Sequence, residues 1–142
     1  MKKKSVKSFY KYFPSKCSKF NNEIRAVCYI RAKELIDKVR GSRKWHMKEE
    51  TIDAIIILLF CWNFATPITK RLKRNRIIKL LTKTCNNLSS LENYCIVDNN
   101  WVEKELIIKN VYNKFKTVFG QTGASKVLSL LNPKLFMMWD TG

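Results

Sequence analysis

Apolar residues recur at helical spacing over most of the chain, and the interruptions of that spacing divide it into segments. From Asn21 or Asn22, either of which can cap a helix, Ile24, Val27, Cys28, Arg31 and Leu35 share one face up to about Arg40, with Gly41 just past the end. A second helix is predicted from about Met47. Its first turns carry Glu49, Glu50 and Asp53, which suit the positive end of a helix dipole, and it runs on through IIILLFCWNF. Ala54 to Trp62 is an uninterrupted apolar run bracketed by Asp53, Asn63 and Pro67. A membrane-spanning helix needs about 20 such residues, so this segment is expected to be the central buried helix and no membrane span is expected.

Thr66 followed by Pro67 is a favourable helix start. The apolar face then breaks, because Ile68 and Leu72 lie opposite Ile77, Leu81, Thr84 and Leu88, which predicts a kink or two short helices across KRLKRNR. Residues 86–100, rich in Asn and Ser, read as a long connection with a short helix around Leu91 to Tyr94. From Trp101 the spacing sharpens: Ile108, Val111, Tyr112, Phe115, Val118 and Phe119 fall within about 120° of arc, a helix with one core-facing stripe. The closing stretch FGQTGASKVLSLLNPKLFMMWD then predicts a glycine hairpin at Gly120 to Gly123 and a helix from Ala124 capped by Thr122. Val127, Leu128, Leu130 and Leu131 point inward, and Pro133 starts a last helical turn carrying Leu135, Phe136 and Trp139.

At 142 residues and 46% hydrophobic the chain can bury one core, and 4 Gly and 3 Pro leave little material for the tight turns of a β fold. The expected architecture is all-α: a basic aromatic N-terminal arm over residues 1–20, then over residues 21–142 a single-domain bundle of five or six helices with a C-terminal helix-hairpin-helix-like element.

Charge changes the picture more than composition does. With 28 basic against 11 acidic residues the chain carries +17, an imbalance that attracts polyanions. Residues 1–44 hold 14 basic and 3 acidic side chains, and residues 69–83 hold 7 basic side chains and no acid. Lys73, Arg74, Asn75 and Arg76, at the break in the apolar face, form the candidate phosphate patch. The arm interleaves Phe9, Tyr10, Tyr12, Phe13 and Phe20 with lysines, a mixture that suits either docking on the core or stacking on bases. Five cysteines without a CxxC, and a lone His46, suggest no zinc, iron-sulfur cluster or other cofactor. Cys28, Cys61 and Cys85 read as small buried hydrophobes. No apolar run follows Lys2, Lys3 and Lys4, so an intracellular location, cytoplasmic or nucleoid-associated, is expected.

GQTGASKVLSLLNPKLFMMWD resembles the helix-hairpin-helix region of the DNA glycosylase (HhH-GPD) superfamily over about 20 residues. That resemblance implies a hairpin, with Gly120 and Gly123, lying against DNA backbone, Lys126 near the lysine of bifunctional members, and Asp140 at the catalytic acid. GQTG also fits the GxxG of a KH module, which would need flanking strands that the helical spacing does not supply. The expected function is binding of nucleic acid, DNA more than RNA, through backbone phosphates at Lys73, Arg74, Arg76, Gly120, Thr122, Gly123 and Lys126. The alternatives are an assembly subunit meeting an acidic protein partner and, third, a glycosylase-like enzyme.

Overall fold

The computed structural model describes residues 24–62, 72–98 and 100–138, apart from the side chains of residues 24 and 62. The basic aromatic arm, the Thr66-Pro67 helix start, Trp139 and Asp140 lie outside the described residues. Among the described residues four α-helices follow one another: α1 (Ile24–Val39), α2 (Glu49–Trp62), α3 (Arg74–Leu91) and α4 (Glu105–Leu131). Short 3-10 turns at Trp45–Met47, Ile96–Asp98 and Val102–Lys104 join them, and no strand occurs among the described residues. The protein is all-α. No helix among the described residues is long and apolar enough to cross a membrane.

The central role of α2 follows from its sequence. Ile52, Ala54, Ile55, Leu58 and Leu59 are all buried, and α2 packs against α1, α3 and α4. Each such aliphatic side chain contributes roughly 1.5–3 kcal/mol when fully removed from water. The inward face of α1 differs from the expected one. Ala26, Ala32, Ile36 and Val39 are buried, whereas Val27 is 60% exposed and Arg31 pairs with Glu34 on the surface. Alanines on a contact face let two helices approach closely, and among the described helices α1 and α2 share the most extensive contact. Cys28 and Cys61 join these two helices in a disulfide, which corrects their expected state as buried thiols. Gly41, at φ 82°, ends α1 in the left-handed conformation that favours glycine.

The helix α3 continues through the Asn- and Ser-rich stretch expected to be a connection. Leu88 and Leu91 prolong the buried stripe of Ile77, Leu81 and Thr84, and their burial outweighs the weak helix propensity of Asn86, Asn87, Ser89 and Ser90. Its last carbonyl, of Leu91, accepts a 2.8 Å hydrogen bond from Asn132 Nδ2.

In α4, Val111, Phe115 and Phe119 are buried as their spacing requires. Gly120, at φ 76° and ψ 176°, is the one non-helical residue within it. The expected hairpin is thus a single-residue break: Thr122 lies inside the resumed helix, not at a cap. Such backbone angles are essentially restricted to glycine. Gly123 answers a different need, since a Cβ there would meet Phe119 Cβ at 2.9 Å and Leu59 Cδ2 at 3.6 Å. The resumed half is buried almost throughout, from Gly123 to Leu131. Pro133 to Leu135 form a turn, with Leu135 buried.

Candidate nucleic-acid interface

The furrow between α3 and the first half of α4 gathers positive charge that the sequence scatters over more than forty residues. A cavity of about 610 Å³ is lined by Leu72, Lys73, Arg76 and Ile77 from the start of α3 and by Lys116, Thr117, Val118, Phe119 and Gly120 from α4. A second, of about 350 Å³, is lined by Arg76, Lys79, Leu80 and Lys83 together with Lys114, Thr117 and Val118. Shared lining by Arg76, Thr117 and Val118 makes the two one continuous furrow. Six cations, Lys73, Arg76, Lys79, Lys83, Lys114 and Lys116, line it, and among the described residues no acid does.

Helix geometry explains the alignment. Arg76, Lys79 and Lys83 stand three and four positions apart on the exposed side of α3, so they form one row, while Ile77, Leu80 and Leu81 turn towards the core. On α4, Lys114 and Lys116 flank the buried Phe115. The patch expected from the sequence is therefore only the beginning of a longer one. Lys79, Lys83, Lys114 and Lys116 are the members it missed; the spacing of the α3 pair was visible, whereas their meeting with α4 depends on how the two helices pack.

The residues expected at phosphate have separate fates. Lys73, Arg76 and Gly120 come together on the furrow. Arg74 does not. Its guanidinium donates to Glu49 and, at 2.8 Å, to Asp53 Oδ1, so two carboxylates of α2 offset its charge. Gly123 is buried, Thr122 is half-buried, and Lys126 is 2% exposed among the apolar residues of resumed α4. These placements correct the expected surface position of Gly123 and Lys126: a buried side chain does not reach the backbone of a bound polyanion. The expected catalytic acid, Asp140, lies outside the described residues.

A polar cluster that the sequence did not signal ties the helix ends together on another side. Arg40 Nη1 donates to the Leu131 carbonyl at 3.1 Å, where cations suit the carbonyl end of a helix, and its guanidinium lies 4.9 Å from the centre of the Trp45 ring. Trp45 Nε1 donates to Glu92 Oε1 at 2.7 Å, and the indole stacks on His46 at 3.8 Å. His46 is 2% exposed, and its Nδ1 has no hydrogen-bond partner. Burial, reinforced by the nearby Arg40 charge, lowers its pKa to about 4. A neutral, enclosed imidazole of this kind joins elements: its Nε2 lies 3.4 Å from Glu92 Oε1, the same carboxylate oxygen that accepts from Trp45. No group of His, Cys, Asp and Glu among the described residues could hold a metal ion.

Neither family models, curated proteins nor solved structures match the chain.

Proposed function

We propose that the protein binds nucleic acid through backbone phosphates in the α3–α4 furrow. The observation that carries this reading is the row of six cations, unopposed by acid among the described residues, along a concave surface. A cleft lined by one sign of charge between low-dielectric walls focuses the field on a ligand of the opposite sign. Lys73 and Arg76 are retained from the sequence, with Gly120 as the point where α4 breaks and approaches the phosphates. Counted across that break α4 supplies two helices and the described chain five, and a helix-break-helix at Gly120 is the form in which the expected helix-hairpin-helix element enters the proposal. Arg74, Gly123 and Lys126 are assigned to the fold. Base excision, which would need Asp140, is not carried further.

Release of counterions makes such binding steeply dependent on salt. With about four phosphates engaged, affinity for a mixed-sequence oligonucleotide followed by fluorescence anisotropy falls by roughly 30- to 150-fold between about 50 and 200 mM salt. Replacing Lys79, Lys83 and Lys116 together by Gln lowers affinity at least about tenfold and flattens the slope. Absence of binding at about 50 mM, or binding indifferent to salt, removes the reading.

One observation favours the assembly alternative. Between residues 96 and 106, Val97 is 79%, Val102 57% and Leu106 81% exposed, and Ile96 lines an apolar cavity of about 340 Å³ with Phe136, Met137 and Met138. Clusters of exposed apolar side chains mark contact surfaces. A species that stays large on size-exclusion chromatography after nuclease treatment speaks for protein assembly. Disulfides are rare in a reducing cytosol, so the Cys28–Cys61 pair weighs against an intracellular placement.

A further inference from the structure

Resting on the nucleic-acid reading, the shape and lining of the furrow narrow the ligand to one class. Two packed helices stand about 8–10 Å apart, so the furrow between them is only a few ångströms wide at its floor. A duplex, whose major groove alone is about 12 Å wide, touches the rims of such a furrow and cannot enter it. The floor is apolar as well: Leu72, Ile77, Leu80, Val118 and Phe119 alternate with the cations that form its walls. Ile77, Leu80 and Phe119 are held rigidly, at 1%, 6% and 6% exposed, whereas Leu72 and Val118 are half-buried and leave apolar surface facing outward. Phosphates alone have no use for that surface. In a duplex the flat faces of the bases are covered by one another, so an apolar floor finds nothing there to meet. In a single strand the faces are free, and contact with apolar side chains adds to the phosphate contacts at the walls.

We infer that the furrow is a single-strand site, in which Lys73, Arg76, Lys79, Lys83, Lys114 and Lys116 hold the phosphodiester chain and Leu72 and Val118 receive one or two unstacked bases. From Lys73 to Lys83 the α3 wall runs about 15 Å, the length of about four or five nucleotides at stacked spacing. Among the described residues the lining carries one uncharged polar side chain, Thr117, so the site takes DNA and RNA strands alike and is indifferent to sequence. The Thr117 hydroxyl donates its proton to the Asn113 carbonyl at 2.9 Å, so it offers a base or ribose an acceptor but no donor.

The test compares oligo(dT) and oligo(U) of about 15 nucleotides with a mixed-sequence duplex of the same length, by anisotropy at one salt concentration of about 100 mM. Both strands are expected to bind at least about tenfold more tightly than the duplex, a difference that burial of about 55 Å² of apolar surface supplies. In the double variant Leu72→Ser, Val118→Ser that advantage falls to within about threefold while duplex affinity and the salt slope stay as in the parent. Arg76→Gln with Lys116→Gln, both exposed and outside the core, weakens strands and duplex together and serves as the second variant if the first is poorly folded by circular dichroism. Duplex binding as tight as strand binding overturns the single-strand inference and leaves the phosphate reading standing. Failure of all three ligands to bind removes the phosphate reading, and this inference with it. Strand affinity unchanged in the folded Leu72→Ser, Val118→Ser variant shows that bases do not meet the floor, which also overturns the inference.

Discussion

Lysines on the two sides of Gly120 share their chemistry and differ in everything else. Lys114 and Lys116, before the break, line a furrow that holds no acid among the described residues; Lys126, after it, is 2% exposed within the core. The difference comes from the neighbour each half of α4 meets. The first half lies beside α3, whose facing row is cationic and solvent-facing, whereas the resumed half is enclosed over nine consecutive residues from Gly123 to Leu131, with α2 approaching it at Gly123 through Leu59. A lysine beside other cations stays at the surface, where the proposed ligand would meet it; a lysine among leucines is enclosed by the fold.

The largest expected effect tests that contrast directly. Lys126→Glu places the opposite charge in the same enclosed site, at a cost of roughly 3–5 kcal/mol in unfolding free energy measured with urea. Lys116→Glu, on the furrow, leaves stability within about 0.5 kcal/mol and weakens oligonucleotide binding instead. Equal stability of the two variants would mean that the two sides of the break are not different environments.

Next in size is the response to acid at the His46 cluster, away from the furrow. The folded pKa of about 4 lies below the unfolded value of about 6.5, so the unfolded chain takes up the proton first. This residue costs nothing above about pH 6.5. Stability is lost as pH falls from about 6.5 towards 4, by about 3 kcal/mol in full. Urea midpoints at about pH 7 and pH 4.5 should converge less for the parent than for His46→Gln, in which this proton uptake is absent. A parent whose loss on acidification matches that of the variant would show that His46 is not enclosed. Binding to oligonucleotides, scored on folded protein, is unchanged by the substitution.

The smallest effects separate the two glycines of GQTG. Gly120→Ala meets no atom within 4 Å but forces alanine into a glycine-only region, a strain of about 1–3 kcal/mol. Gly123→Ala keeps an ordinary helical backbone and costs about 1–3 kcal/mol for a different reason, the 2.9 Å approach to Phe119 Cβ. A second substitution tells them apart in thermal unfolding: Phe119→Gly, which removes the Cβ that the new methyl meets, does nothing for the first and relieves part of the second. Relief of both, or of neither, would show that the glycines do not have distinct roles.

The core of this protein was largely legible in its sequence. Phe115, Val111 and Phe119, the leucines after Ala124, and Ile55, Leu58 and Leu59 occupy the buried positions that their spacing indicates, because helical periodicity is a local property. The errors fell where local rules compete with a neighbour. Helical spacing groups Val27 with Cys28 and Leu35 on one face, yet α1 turns Ala26, Ala32, Ile36 and Val39 inward, a choice of face that its packing on α2 makes. Asn86 to Ser90 were read as a connection on propensity, yet Leu88 and Leu91 hold them helical. The candidate site was legible only in its first residues, Lys73 and Arg76.

By itself the sequence determined an all-α chain, its main buried stripes, a positive charge suited to polyanions and a backbone interruption at a glycine. The tertiary structure decided which charges matter. It set Arg74 against Glu49 and Asp53, closed Lys126 into the core, brought Cys28 to Cys61, and joined Arg76, Lys79 and Lys83 to Lys114 and Lys116 across a furrow. The physical reason is range: periodicity acts within a few residues along one helix, whereas the fate of a charge depends on whatever packs against it, from any distance along the chain.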